Sequence, residues 1–364
     1  MKLSDREWKE FFLEDLFVVK AGKRLTNADK IDGKRPFVGA TDNMNGVTGF
    51  VDNTNNSLDK NVLGVNYNGA PCICFYHPYE CIFTDDVKRL HLKKHKDNAY
   101  VFLFMKSIIM QQKNKYSYGY KFNERRMLRQ LLLIPVDAND EPDYQFMEDY
   151  MKELMVAKRK QYQEYVEQRL AELGIDVKNT KVGGYNLDLE SREWKPVSIT
   201  TLFDNFTFGK INNASLCDKV NSIGIEYIGA TNRNNGCLYF VEKASVKNKI
   251  QQGNCIGFIK DGDGSAGYAI YKKESFVSTV NVIYGYASWL NEYTGLFFVS
   301  AQDLIKSKYS HGYKRNQQHL RGDRVMLPVD ANNEPDYDFM EECGRKMMAK
   351  KYVQYLSYIA QSSK

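Results

Sequence analysis

The sequence predicts a mixed α/β chain of the α+β kind: two β-rich domains in tandem repeat, each followed by a long helix, with the helices pairing as an antiparallel coiled coil. Three observations predict it. The same motifs occur twice in the same order, short alternating runs fill the first part of each copy, and an uninterrupted helical stretch follows each. A chain of 364 residues also suits two domains of ordinary size better than one.

The repeat is the firmest of the three. Arg6-Glu7-Trp8-Lys9 returns as Arg192-Glu193-Trp194-Lys195, and Val38-Gly39-Ala40-Thr41 returns as Ile228-Gly229-Ala230-Thr231. Lys115-Tyr116-Ser117-Tyr118-Gly119-Tyr120-Lys121 returns as Lys308-Tyr309-Ser310-His311-Gly312-Tyr313-Lys314. The stretch from Pro135 to Glu148 is nearly copied from Pro328 to Glu341. Four matched blocks in one order mean an internal duplication.

Each copy opens with strand-and-turn language. Cys72-Ile73-Cys74-Phe75-Tyr76 and Cys255-Ile256-Gly257-Phe258-Ile259 are short apolar runs, separated from their neighbours by Asn-Gly, Asp-Gly and Gly-Ser signals. Helices are expected around 99–112 and 288–306. After each Glu-Pro-Asp the pattern changes: from Tyr144 to Leu173 there is neither Gly nor Pro, and Met147, Met151, Leu154, Gln161, Tyr165 and Val166 recur at helical spacing. This reads as a helix of about 30 residues, about 45 Å long. Asp143 is the expected N-cap and Gly174 the expected stop. The second helix starts at Asp336 and runs through Phe339, Met340, Met347, Tyr355 and Ile359. The expected boundaries are a first domain over 1–138, a spacer helix over 139–174, a linker over 175–190, a second domain over 191–331 and a second spacer helix over 332–364. An apolar stripe of this length needs a partner, and the other helix supplies one.

Composition excludes several classes. Hydrophobic residues make up 43% and charged residues 26%, a folded composition. Seven cysteines without regular spacing do not build a disulfide framework. Residues 1–17 carry eight charged side chains, and no apolar run is long enough to span a bilayer, so the expected location is cytoplasmic.

The net charge is only +6, but its distribution is uneven. Residues 113–129 hold six basic groups against Glu124, and residues 306–324 hold six against Asp323, so each segment is +5 and the remainder of the chain is slightly acidic. Both segments interleave tyrosines, hydroxyls and a central glycine with the cations. Cations neutralise phosphates, while hydroxyl and amide groups read base edges. The candidate nucleic-acid contacts in the first copy are Lys115, Tyr116, Ser117, Tyr118, Gly119, Tyr120, Lys121, Asn123, Arg125 and Arg126. In the second they are Lys308, Tyr309, Ser310, His311, Gly312, Tyr313, Lys314, Arg315 and Asn316. The asparagine-rich loops add Thr41, Asn43 and Asn45, matched by Thr231, Asn232, Arg233, Asn234 and Asn235. A second pair of loops adds Asn66 and Asn68, and Lys260 and Ser265. Turn formation explains the Asn-Gly pairs equally well.

No catalytic motif accompanies this surface. There is no Asn-Pro-Pro-aromatic box and no Gly-x4-Gly-Lys-Ser/Thr phosphate loop. Asp86-Val87-Lys88 has the local pattern of a metal-dependent nuclease, but Val280-Asn281-Val282 in the other copy offers no carboxylate. Cys72, Cys74, His77 and Cys81 suggest a zinc site, yet Cys72 and Cys74 on one strand face, with Gly267 and Ala269 in their places in the second copy, read as buried thiols. No metal site and no catalytic residue is expected.

The two Lys-Tyr-Ser-x-Gly-Tyr-Lys-x-Asn segments, and the Pro-Val-Asp to Glu-Pro-Asp-Tyr-x-Phe-Met-Glu motif ahead of each helix, resemble the DNA specificity subunits of type I restriction–modification systems. The form is the one shared with type IIB systems that have bipartite sites. The resemblance spans essentially the whole chain. It implies two target-recognition domains, each reading half of a bipartite double-stranded DNA site. It also implies paired spacer helices that dock adenine methyltransferase subunits, two of them, with restriction or motor subunits completing the complex. S-adenosylmethionine would be bound by the methyltransferase and not by this chain, which would be non-catalytic. The alternative is a stand-alone duplicated DNA- or RNA-binding protein without methyltransferase partners.

Overall fold

A computed structural model describes the chain apart from Tyr118, 176–186, 214–216, 221–222, Asp263, His311 and 363–364. Most of the expected linker therefore lies outside the described residues. The chain divides into two compact units, Met1–Gln163 and Glu164–Lys364, so the division falls inside the first long helix.

In the first unit, Glu7–Phe12 pairs antiparallel with Leu131–Val136, tying the start of the head to the strand that leads into the helix. A four-stranded antiparallel sheet runs Phe17–Ala21, Val87–Leu92, Val62–Asn66, Cys74–His77. A smaller sheet sets Asp32–Val38 between Val47–Val51 and Ile82–Phe83, the latter pairing parallel. Val62–Asn66 is buried at every position, as a central strand of β-branched and small residues should be. Gly64 lets it pack closely, because a Cβ there would stand 3.0 Å from His77 Nε2 and the ring would have to give by a few tenths of an ångström.

The helix Ala99–Gln111 covers this sheet. Asn98 caps it by accepting from the Tyr100 and Val101 amides, and Val101, Phe102, Met105 and Ile109 bury against Leu63, Val65, Cys74 and Leu90. Each such side chain contributes about 1.5–3 kcal/mol.

The second unit repeats the plan. Glu193–Ser198 pairs with Arg324–Val329, and the four-stranded sheet runs Asn205–Phe208, Val282–Tyr286, Cys255–Ile259, Ala269–Lys272. Asn291 caps the covering helix Glu292–Gln302, which a tight 3-10 stretch, Asp303–Lys308, extends. Trp8 Nε1 donates to the Leu3 carbonyl and Trp194 Nε1 to that of Leu189, both at 2.9 Å, which gives the recurring Trp the same role in both copies.

The long helices are Tyr144–Glu172 and Tyr337–Ser362. Asp143 Oδ1 accepts from the Phe146 amide at 2.8 Å, and Asp336 Oδ1 from the Phe339 amide at 2.9 Å. The other carboxylate oxygens are held by Arg6 and Arg192 at 2.7 and 2.8 Å, so each cap also fixes its helix to the first strand of its head. At the far end Gly174 has φ +73°, and Gly174 and Ile175 donate to the Ala171 and Leu170 carbonyls. That is the Schellman stop.

The apolar stripe of the first helix does not serve helix pairing along its whole length. Tyr144, Met147 and Met151 pack into the core of the first head, while Val166 and Leu170 pack with Ala349 and Val353 of the second helix, within the second unit. Phe339, Met340 and Cys343 likewise belong to the core of the second head.

One strand expectation is corrected. Cys72 stands outside the strand Cys74–His77 with φ +64°, so the two thiols do not share a strand face, although both are fully buried in one core. Their match to the second copy holds. Gly267 is left-handed too, at φ +87°, and Ala269, like Cys74, begins a strand. Burial pushes the Cys72 thiol up to about 12, and among the described residues no group of three or more His, Cys, Asp or Glu is placed to hold a metal ion.

Candidate nucleic-acid interface

In the first copy Ser117 and Tyr120 exchange backbone hydrogen bonds at 3.1 and 3.0 Å, closing a two-residue turn. In the second, Ser310 and Tyr313 do so at 3.2 and 3.1 Å. Tyr118 and His311, at the turns, lie outside the described residues. Gly119 and Gly312 have nothing within 4 Å of where a Cβ would stand, so the backbone there is open to close approach.

The tyrosines flanking each turn stack. Tyr116 and Tyr120 lie 5.8 Å apart at 9°, and Tyr309 and Tyr313 lie 5.8 Å apart at 14°. A further planar group packs on the outer tyrosine: the Arg126 guanidinium, 3.8 Å above the Tyr120 ring, or the His319 imidazole, 4.2 Å from that of Tyr313. Both are steered by the same kind of bond. Arg126 Nη1 donates to the Lys121 carbonyl at 2.8 Å, and His319 Nδ1 to the Lys314 carbonyl at 2.6 Å. Tyr120 and Tyr313 nevertheless remain 50% and 43% exposed beside these packed groups.

The asparagine-rich loops have a matching conformation. Met44, Asn45 and Gly46 have φ of +47°, +53° and +78°, and Asn234, Asn235 and Gly236 have +48°, +50° and +79°. Thr41 Oγ1 accepts from the Asn43 amide and Thr231 Oγ1 from the Arg233 amide, and the Gly46 and Gly236 amides close the turns onto the Asn43 and Arg233 carbonyls. Asn43, Asn232, Arg233 and Asn234 are exposed at the rim.

Several residues expected at this surface are structural instead. Arg315 is fully buried, ion-paired to Asp323 at 2.8 Å; Tyr309 is 6% exposed and donates to both Asp323 oxygens at 2.7 Å. Asn66 and Ser265 are buried, Asn66 donating to the Thr41 carbonyl at 2.9 Å and Ser265 to Asn232 Oδ1 at 3.1 Å. Asn123 and Asn316 cap the short helices Glu124–Leu128 and Gln317–Arg321. Asn45 and Asn235 pin their loops to the Tyr76 and Tyr271 carbonyls, and Asn68 donates to Asp86 at 2.9 Å. Lys308 and Lys314 are ion-paired to Asp323 and Asp261, and Lys260 Nζ donates to the Val280 carbonyl. For Arg315, Tyr309, Asn66 and Ser265 the physical reason is burial, since a folded head must satisfy its own buried polar groups, whereas Asn45, Asn123, Asn235, Lys308, Lys314 and Asn316 make these bonds from exposed positions.

Lys115, Ser117, Arg125 and Ser310 stay exposed and Lys121 half-buried, as a contact surface requires. Two residues in the same regions are not among the expected contacts: Met44, 81% exposed at the loop tip, and Arg129, a cation of the basic segment that lines one cleft with Arg125 and Arg126. Asp86 and Lys88 are occupied by Asn68 and Glu124.

The family description "Type I restriction modification DNA specificity domain" matches residues 5–164 and again 191–354, which are the two copies described above. The chain belongs to this family. Over 149 residues it is 54% identical to the Type II restriction enzyme BgcI specificity subunit S.BcgI of Heyndrickxia coagulans, a stretch covering 41% of this chain and 44% of that relative. The type I restriction–modification S subunit from M. genitalium is similar over 99% of this chain and 94% of its own, at 14% identity and a TM-score of 0.45. The HsdS subunit from Thermoanaerobacter tengcongensis is similar over 97% and 91%, at 10% identity and 0.32. At those scores the shapes add nothing to the family match. Both specificity domains carry the tyrosine hairpin and the left-handed loop, and among the described residues no helix is long and apolar enough to cross a membrane.

Proposed function

We propose that this chain is the non-catalytic specificity subunit of a restriction–modification complex, each domain reading one half of a bipartite duplex DNA site. The long helices, pairing as an antiparallel coiled coil, dock two adenine methyltransferase subunits. Those subunits bind S-adenosylmethionine and take the flipped target adenine, so the chemistry lies outside this chain. Restriction or motor subunits complete the assembly, in the cytoplasm.

One observation carries this reading: the hairpin with an exposed stacked tyrosine, together with the left-handed loop, occurs in both specificity domains. Part-exposed tyrosines and open glycine backbone suit approach to nucleic acid, and the exposed Asn43 and Asn234 offer the donor–acceptor pair that fits adenine in the major groove.

The test is purification of the tagged protein from its host, with mass spectrometry of what stays bound, followed by binding to randomised duplexes. The expected result is an adenine methyltransferase at two copies per chain, and a bipartite preference in which Asn43→Ala relaxes one half and Asn234→Ala the other. DNA binding without any methyltransferase would instead mark a stand-alone duplicated binder.

A further inference from the structure

The two basic segments carry the same formal charge, but the fold leaves them electrostatically unequal. In the second domain three cations meet two carboxylates: Lys308 and Arg315 share the buried Asp323, and Asp261, 2.6 Å from Lys314, adds a further negative charge from outside the segment. In the first domain the segment's one acid, Glu124, is taken at 2.6 Å by Lys88 from outside the segment. Among the described residues, Lys113, Lys115, Lys121, Arg125, Arg126 and Arg129 then have no carboxylate oxygen within 4 Å.

Three of these line one cleft. It measures about 410 Å³ and is bounded by the Tyr116–Tyr120 stack, Asn123, Gln130 and the side chains of Arg125, Arg126 and Arg129. Arg126 is held in place by the Tyr120 ring and the Lys121 carbonyl. Guanidinium groups gathered without a counter-charge repel one another, and an anion rich in acceptor oxygens relieves the repulsion while accepting forked hydrogen bonds. The repeat places Gln318, His319 and Gly322 at the positions of Arg125, Arg126 and Arg129, so the second domain lacks these three cations at the matching place and carries Arg315, Arg321 and Arg324 at other positions of its segment.

We propose that this cleft is a phosphodiester-binding site, and that it makes the first domain the electrostatic anchor while the second contributes mainly base reading. This rests on the reading that the chain binds duplex DNA. A phosphate contact carries no sequence information, so the anchor sets affinity and register and leaves base preference alone.

The test exchanges the three residues between domains of the full chain. Arg125→Gln/Arg126→His/Arg129→Gly gives the first domain the residues the second already tolerates. Gln318→Arg/His319→Arg/Gly322→Arg does the reverse, with room at Gly322, whose Cβ would meet nothing closer than 3.5 Å. Duplex affinity is measured against salt concentration. Each phosphate contact contributes about 0.9 to the log–log slope, so the first variant should be shallower by about 2 to 3 for every DNA sequence, and the second steeper. A wild-type chain with steep salt dependence that the first variant leaves unchanged would overturn the anchor while leaving DNA binding intact. A wild-type chain with no salt-dependent duplex binding would sink the underlying reading as well. Steepening by the second variant shows that the cleft works in either domain, which guards against mistaking misfolding of the first variant for loss of a contact.

Discussion

Beneath the hairpin, the first domain places Phe122 and Gln130 where the second places Arg315 and Asp323. In the first, Phe122 is fully buried and Tyr116 donates to Gln130 Oε1 at 2.6 Å, a neutral bond among apolar neighbours. In the second, Tyr309 donates to Asp323, whose charge is met by Arg315, and Arg315 also reaches the Gly267 carbonyl at 3.1 Å and the Gln302 amide oxygen. Burial pushes the Arg315 guanidinium below its ordinary range and the Tyr309 phenol above its own. The stacked tyrosines nevertheless have nearly the same geometry in both domains. What the hairpin needs is an acceptor under its inner tyrosine and a filled core position. Whether that pair is ionic or neutral is free to vary, and the choice decides how much the anchor depends on both members being present.

Breaking the anchor should therefore cost very different amounts in the two domains. Asp323→Ala leaves Arg315 buried without a counter-charge and should destabilise the second domain by about 3–5 kcal/mol. Gln130→Ala removes a neutral bond and should cost the first domain about 1–2 kcal/mol. The double change Arg315→Phe/Asp323→Gln, which copies the first domain, should recover most of the loss, since an apolar and hydrogen-bonded pair can replace a buried ion pair. Two units need not unfold together, so the measurement is amide exchange under denaturant, read domain by domain. Equal costs for Asp323→Ala and Gln130→Ala would remove the contrast.

A second buried position differs in kind. His77, opposite Val62 on the central strand, is fully buried with Nδ1 3.3 Å from the Tyr79 hydroxyl. Lys272, opposite Cys255, is buried too but ion-paired to Glu226. Burial, helped by the charge of Lys106, lowers the His77 pKa to about 4. Between the ordinary value of about 6.5 and that of the folded state, the unfolded chain binds a proton that the folded chain refuses. The His77 contribution is thus complete above that window and is lost as pH falls through it. The first domain should lose on the order of 3 kcal/mol across the window, and His77→Leu should abolish the step. Exchange rates in the strands around His77, compared at neutral and mildly acid pH, decide the matter. A step that persists in the Leu variant would assign it elsewhere.

These contrasts also mark what could be read in advance. The duplication, the helix caps Asp143 and Asp336 and the stop at Gly174 were legible because each rests on local chemistry that a short motif fixes. Met147 and Met151 were placed on the correct stripe but given the wrong neighbour, since helical periodicity specifies a face and not what packs against it. Arg315 was misread because a cation in a basic run resembles a solvated one. The clue was its alignment with Phe122, a charged residue at an apolar position of the repeat. Asn66, Asn123 and Asn316 are polar residues that the backbone consumes, which depends on turn geometry that spacing does not reveal.

The smallest contrast lies at the loop tips, where Met44 and Asn234 share almost the same left-handed backbone. Asn tolerates that conformation, whereas other side chains bring Cβ too close to the following carbonyl, at roughly 1–2 kcal/mol. Met44 is 81% exposed, so burial gives little in return for the strain. Met44→Asn should accordingly stabilise the first domain by about 0.5–1 kcal/mol, and Asn234→Met should destabilise the second by a similar amount. Amide exchange in the flanking strands measures both. Absence of a gain would mean that the loop relaxes around methionine and holds no strain. A gain in stability accompanied by altered base preference in one half-site alone would identify Met44 as a residue kept in a costly conformation for the contact it makes, which is where backbone strain tends to be found.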